Sequence, residues 1–406
     1  MPRILVLSES LPFPTLKGGD LRTWQNVNGL AAVADVGVFG LCSNDRRRHR
    51  APDLPLVCWT TSTDPALTSP PPTGRNLAGR AWLLDPDGHP SDLFFSDGAA
   101  GELAGLLARL RPDLVLVEGL WLHAYLDVAR AAGCRTVLDC FNVEAAVARE
   151  VARTRTGNDL EARVVRDVLP ARTEAIERRA LAAVEHVWVC SDEDARRMRE
   201  LYAPAASVTV VPNGLRVDDY TPRPWRPAPA PTVIFPGIFS YPPNGVAAAF
   251  LIDELFPQLA RACAGSRLLL VGPMPTAGMR AAAERDPRIV VTDAVADVRP
   301  YLAEASVMAV PLFQGGGTHL KVLEGFAAGV PVVSTAKGAE GLDVRSDTHL
   351  LLAETAGGFA AAVLAAWRER ALAERLAASA RALVAERYSW TSVAARIGAA
   401  IAALEL

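Results

Sequence analysis

The chain has 406 residues, of which 50% are hydrophobic, 21% charged and 6% aromatic; that composition excludes a disordered or fibrous protein, and the length exceeds what one core usually organises, so two domains are expected. With 42 basic against 45 acidic residues the formal charge is -3, too near neutrality for a general grip on nucleic acid. The six cysteines (Cys42, Cys58, Cys134, Cys140, Cys190, Cys263) form no C-x-x-C pair, which disfavours a disulfide framework or a zinc site and fits a reducing cytoplasm.

At the amino terminus, MPRILVLSESLPFP lacks the pattern of a signal peptide. No run reaches the roughly 20 apolar residues of a membrane span. Buried parallel strands are expected at Ile4–Leu7, Val36–Leu41, Leu114–Glu118, Thr136–Asp139, Val187–Cys190 and Val208–Val211, with helical spacing over Arg22–Ala34 and Glu102–Leu110. Strand alternating with helix implies parallel sheet covered on both faces. Residues 42–100, rich in proline, read as an irregular excursion. Within it, Arg46, Arg47, Arg48 and Arg50 read as a solvated loop that would still allow peripheral contact with an anionic headgroup. Asp85-Pro86-Asp87 imitates a D-x-D metal element, yet no buried strand precedes it, so it reads as a turn.

After Pro212-Asn213-Gly214 the proline-dense stretch Tyr220–Pro231 reads as a semi-rigid connector. Strands then restart at Thr232–Phe235, Arg267–Val271, Ile289–Thr292, Val307–Pro311 and Pro331–Ser334. The alanine-rich end, Gly357–Leu406, is helical apart from a break at Arg387–Trp390. The expected architecture is α/β, with two Rossmann-like doubly wound domains facing a central cleft. Ligands of such sheets bind outside the carboxyl ends of the strands.

The strongest constellation is Gly315-Gly316-Gly317-Thr318-His319-Leu320-Lys321-Val322-Leu323-Glu324. A buried strand running through three glycines into a helix gathers N–H groups and the positive helix end on one point, an anion site. Lys321 adds a full charge. Glu324, three residues on, shares its face. A carboxylate beside a phosphate is tolerable where it accepts hydrogen bonds from ribose hydroxyls, so a nucleoside diphosphate is the economical ligand. A second glycine pair, Gly18-Gly19, follows the first strand behind Lys17. No G-x-G-x-x-G follows that strand, which disfavours a dinucleotide dehydrogenase.

These blocks, together with Val211-Pro-Asn-Gly214, Phe235-Pro-Gly237, Tyr241-Pro-Pro-Asn244 and Leu269-Leu-Val-Gly272, resemble glycosyltransferase family four, of GT-B fold, in order from Ile4 to about Trp390. The resemblance implies an acceptor-binding domain over residues 1–213, with a carboxyl-terminal helix 386–406 packing back on it, and a nucleotide-sugar-binding domain over 214–385. It implies a retaining, metal-independent hexosyltransferase that needs no cofactor and uses a nucleotide diphosphate sugar, with UDP favoured by family precedent. Glu324 resembles the second Glu of the family's E-x7-E element. Gly316 stands where the first would be, as in the similar GGGT-x-L-K-x-L-E subgroup. Phe239, Ser240, Tyr241 and Asn244 occupy the loop where many relatives carry an Arg and a Lys, which leaves Lys321 to neutralise the leaving group.

On the donor side the resemblance marks Gly18, Gly19, Gly237, Asn244, Gly272, Gly315, Gly316, Gly317, Thr318, Lys321 and Glu324. His123 or Glu118 would touch the donor sugar. Trp121, Asn142 and Glu144 are acceptor-side candidates, the acceptor being a small or carrier-linked molecule such as a specialised metabolite. A GT-B-fold epimerase, and a nucleotide-sugar-binding protein without catalysis, remain the alternatives.

Overall fold

The computed structural model describes residues 1–15, 18–42, 52–68, 82–85, 87–222 and 228–406. The chain divides into two compact units: Met1–Asn213 with Val393–Leu406, and Gly214–Ser392.

In the first unit seven strands, β1 (Arg3–Ser10), β2 (Asp35–Cys42), β3 (Leu56–Thr61), β4 (Leu114–Glu118), β5 (Arg135–Cys140), β6 (His186–Val189) and β7 (Ser207–Val210), form one parallel sheet in the order β3-β2-β1-β4-β5-β6-β7. The central strands are runs of Ile, Leu and Val with Ile4 to Leu7 fully buried, as expected of a sheet covered on both faces. Helices start where serine side chains accept an N–H of the first turn, at Ser96 before helix Asp97–Leu110 and at Ser191 before helix Asp192–Tyr202. Val393, Ile397, Ala400 and Ile401 bury one face of the last helix. Ile397 approaches helix Gly18–Ala31 so closely that a Cβ on Gly29 would stand 2.6 Å from its Cδ1.

The second unit repeats the plan. Strands β8 (Thr232–Pro236), β9 (Arg267–Val271), β10 (Ile289–Val291), β11 (Val307–Val310), β12 (Val332–Ser334) and β13 (Leu351–Leu352) are parallel in the order β10-β9-β8-β11-β12-β13. Each sheet reverses its winding once, between β1 and β4 in the first unit and between β8 and β11 in the second. Those are the topological switch points at which open α/β sheets bind ligands.

Four expectations need correction. The excursion at 42–100 contains an edge strand, β3, a short helix at Pro65–Thr68 and a 3₁₀ turn at Pro90–Phe94; prolines around a half-buried, alternating strand concealed it. Tyr220–Pro231 does not connect the units, because the division falls at Asn213 and Tyr220 packs on the second core. The break near the end is a single extended residue, Ser389. A π-helical turn carries the backbone through Tyr388, and Ser389 pairs with Leu215. The second unit runs on to Ser392, so residues 386–392 belong to it, Trp390 donating from Nε1 to the Gly214 carbonyl at 3.3 Å.

Gly272, at the end of β9, has φ +144°, and a Cβ there would overlap the Gly237 carbonyl oxygen. Gly272→Ala is therefore expected to destabilise the protein by about 3 kcal/mol or more, read as a lowered urea midpoint. A midpoint unchanged within error would contradict this packing.

Candidate functional site

In the second unit the switch point is built by the loops after β8 and β11. After β8, Gly237 donates its N–H to the Val271 carbonyl at 2.9 Å, and the chain enters helix Pro242–Phe250, which places Asn244 in its first turn. After β11, residues 311–319 lead into helix Leu320–Ala327, with His319 at its N-cap. Gly315 and Gly317 have φ of +119° and +68°. Positive φ at two of the three glycines gives the turn the backbone freedom an anion site needs, and the positive end of helix Leu320–Ala327 follows it.

Lys321 completes the arrangement. Its Nζ donates to Asn244 Oδ1 at 2.7 Å and lies 4.2 Å from the centroid of the Phe235 ring. Asn244 in turn donates from Nδ2 to the Ile238 carbonyl at 2.9 Å. Burial pushes the Lys321 ammonium down to about 7, with the Glu324 charge opposing the shift. Gly237 leaves the room this needs, since a Cβ there would stand 3.1 Å from Nζ. Glu324 accepts from the Tyr220 hydroxyl at 3.0 Å, and burial raises its carboxyl above the ordinary value. His319 Nε2 is buried with no hydrogen-bond partner. Burial and the charges of Lys321 and Lys337 push that imidazole down to about 3, so it is neutral at physiological pH. Thr318 is buried beside it.

The structure thus brings Gly237, Asn244, Gly272, Gly315, Gly316, Gly317, Thr318, Lys321 and Glu324 to one end of one sheet. Tyr220 was missed by the sequence reading. It lies 104 positions from Glu324 in a stretch whose prolines carry the visible signal, and nothing in the sequence pairs the two. The His319 imidazole was visible within the motif, but its unpartnered nitrogen is a fact of packing alone.

The first unit has its own polar centre. Arg22 is 2% exposed and forms a bidentate pair with Asp139, which is fully buried: Nε donates to Oδ2 at 2.7 Å and Nη2 to Oδ1. Its Nη1 also donates to the Val211 carbonyl and to Asn213 Oδ1, both at 2.9 Å. Glu118 belongs to the same network. It accepts from Thr23 at 3.1 Å and Asn26 at 3.0 Å, and burial beside Asp139 raises its carboxyl well above the ordinary value. Gly18 and Gly19 form the first turn of helix Gly18–Ala31, with Gly19 against the Phe141 ring. Leu16, Lys17 and the arginines at 46–50 lie outside the described residues.

Beyond the end of β4, His123 Nε2 is 3.2 Å from Ser91 Oγ, and burial together with Arg179 pushes the imidazole down to about 4. Trp121, 37% exposed, stacks on His89 at 5.4 Å. Asn142 donates to Glu144 at 2.9 Å, and burial pushes the Glu144 carboxyl up to about 7. Asp85 and Asp87 meet in a tight turn, the Asp87 N–H donating to Asp85 Oδ1 at 2.9 Å. Among the described residues no three His, Cys, Asp or Glu side chains are grouped to hold a metal ion, and no helix is long and apolar enough to cross a membrane.

Two family models match the chain: "Glycosyl transferase 4-like domain" over residues 18–214 and "Glycosyl transferases group 1" over residues 230–369. No curated protein matches it. Among solved structures it is similar to a sucrose-phosphate synthase from Thermosynechococcus elongatus, at 18% identity and TM-score 0.73 over 100% of this chain and 99% of that one. It is also similar to Anabaena HepE in complex with UDP and glucose, at 13% identity and TM-score 0.68 over 99% and 100% of the two chains. A third is the lipopolysaccharide outer core galactosyltransferase WaaB, at 12% identity and TM-score 0.63 over 99% of each. At these identities the likeness concerns the fold.

Proposed function

Because the chain is a family-four-type glycosyltransferase with the GT-B fold, we propose that it transfers a sugar, with retention of configuration and without a metal, from a nucleoside diphosphate sugar to a small-molecule acceptor. The observation that carries this reading is the Lys321 ammonium, held by Asn244 at the carboxyl ends of β8 and β11 beside a turn of positive-φ glycines. Glu324 is the ribose anchor of this site. The sequence Gly315-Gly-Gly-Thr-His-Leu-Lys-Val-Leu-Glu324 resembles the GGGT-x-L-K-x-L-E subgroup, and in this reading backbone N–H groups take the place of the missing first Glu. The complexes of Anabaena HepE with UDP and with UDP-glucose favour uridine as the base.

Retention requires the acceptor oxygen to attack the face from which the diphosphate departs. The anomeric C–O bond to phosphate breaks, its electron pair leaving with the diphosphate. The acceptor oxygen bonds to the same carbon, and its proton passes to the departing phosphate oxygen. No protein nucleophile is needed, so the enzyme positions the reactants and stabilises the leaving charge. Lys321 does the second. Asn142, Glu144 and Trp121 of the first unit are assigned to the acceptor; His123, with a free choice of tautomer, is assigned to a sugar hydroxyl in preference to Glu118, whose oxygens Thr23 and Asn26 engage. The reaction is placed in the cytoplasm.

The test is a panel of nucleotide sugars scored by thermal stabilisation, then turnover of the best donor with and without a chelator. Retained turnover under chelation is expected. Loss on chelation would contradict the metal-free mechanism. Tight binding without turnover would support a nucleotide-sugar-binding protein, and an isomerised donor an epimerase.

A further inference from the structure

We propose that Tyr220 is a positioning residue for donor binding: its hydroxyl holds one oxygen of Glu324 so that the other is presented to the ribose hydroxyls of the nucleoside diphosphate. This rests on Glu324 being the ribose anchor.

Glu324 has three rotatable bonds and sits on the second turn of helix Leu320–Ala327, so left to itself it samples several positions. Tyr220 is stiffer. Its ring packs on the core of the second unit, and its backbone closes the 3₁₀ turn Val217–Asp219 by an N–H donated to the Val217 carbonyl at 3.1 Å. Arg299 pins that turn, donating from Nη1 to the Asp219 carbonyl at 2.9 Å. Arg381 ties the two partners together. Its Nη1 reaches the Tyr220 carbonyl at 3.4 Å and also donates to the carbonyl of Ala327, the last residue of the helix that carries Glu324.

One cation therefore fixes the tyrosine's backbone and the glutamate's helix at a common point, and the phenol spans the gap to Oε1. An ionised carboxylate offers about four acceptor positions, so a single phenol leaves Oε2 for a ligand. Burial and the neighbouring Glu324 charge push the phenol upward, which keeps its proton in place to be donated. The same bond opposes the burial that raises Glu324 and so favours its ionised form.

The experiment compares UDP with 2′,3′-dideoxyuridine diphosphate by calorimetry on wild type, Tyr220→Phe and Glu324→Gln. Wild type is expected to prefer UDP by about 100-fold, as two hydrogen bonds to a charged group would give. In Tyr220→Phe the affinity for UDP is expected to fall about tenfold with that for the dideoxy analogue unchanged. The pH below which UDP affinity is lost is expected to move upward, because Glu324 then protonates more readily. Tyr220→Phe in the Glu324→Gln background should add nothing. Equal losses for both ligands, or an unaltered preference and pH profile, would overturn the role of Tyr220 while leaving the ribose anchor standing. If wild type itself binds UDP and the dideoxy analogue equally, the anchor assignment fails first.

Discussion

Lys321→Ala is expected to lower kcat by about 10²- to 10³-fold, the usual consequence of removing one group that meets developing charge in a dry site. The ammonium stands between Asn244 and the face of Phe235, and in the proposed mechanism it neutralises the leaving diphosphate. Stability should not fall with activity, since Lys321 is held against its own desolvation. Its folded value lies below the unfolded one of 10.5, so between about pH 7 and that value the native state binds fewer protons and its stability rises with pH. Lys321→Arg should not rescue turnover, because a bulky planar guanidinium cannot take the compact ammonium's place between Asn244 Oδ1 and the Phe235 ring. Kinetics and thermal melting of the two variants, run together, check this. A kcat within about threefold of wild type would contradict the assignment.

The same group is expected to set the pH dependence of donor binding. At pH 8 a lysine titrating near 7 is mostly neutral in the free enzyme, and a bound diphosphate draws it back to the charged form. Binding should therefore take up close to one proton at pH 8, and affinity should weaken as pH rises above about 7, because the bound state holds more protons than the free one. Titration in buffers of different ionisation enthalpy reads the uptake directly. Lys321→Ala should abolish it.

Arg22→Ala is expected to destabilise the protein by about 3–5 kcal/mol, the cost of leaving a buried ion pair with one partner. The substitution strands Asp139 without its bidentate cation and leaves Glu118 beside it in the same buried network. It also removes the two bonds by which Arg22 holds Val211 and Asn213 to helix Gly18–Ala31. Burial beside Asp139 already raises Glu118, so the native state binds the extra proton and this group's contribution to stability is present at low pH and lost as pH rises through its folded value. The variant should consequently lose more at pH 8 than at pH 5. Arg22→Lys should recover only part, because an ammonium cannot make the two parallel bonds to Asp139. Urea unfolding at both pH values measures this, and a loss under about 1 kcal/mol at pH 8 would show that the network is not what holds the first sheet to its helix.

Much of the fold could be read in advance because parallel strands buried on both faces are nearly continuous apolar runs. Thr232–Phe235 and Arg267–Val271 announced β8 and β9 almost to the residue. The edge strands could not be read that way. β3 is half-buried and flanked by proline, and β13 has two residues, so neither carries a long apolar signature. The same distinction holds at the site. Glycines, Lys321 and Glu324 stand within ten positions and could be found as a pattern, whereas the partners that hold them, Asn244 on Lys321 and Tyr220 on Glu324, come from segments 77 and 104 positions away. Arg22 was visible as the start of the expected helix Arg22–Ala34. Its carboxylate partner lies 117 positions away, and only the β1–β4–β5 order of the sheet brings the two together.

The most direct measurement is a crystal structure of the enzyme with an intact or hydrolysis-resistant uridine diphosphate sugar. The diphosphate is predicted to lie against the N–H groups of Gly315–Gly317 with an oxygen within hydrogen-bond reach of Lys321 Nζ, and the ribose hydroxyls on Glu324. Density for the nucleotide at any other place, with the turn after β11 left bare, would contradict the account.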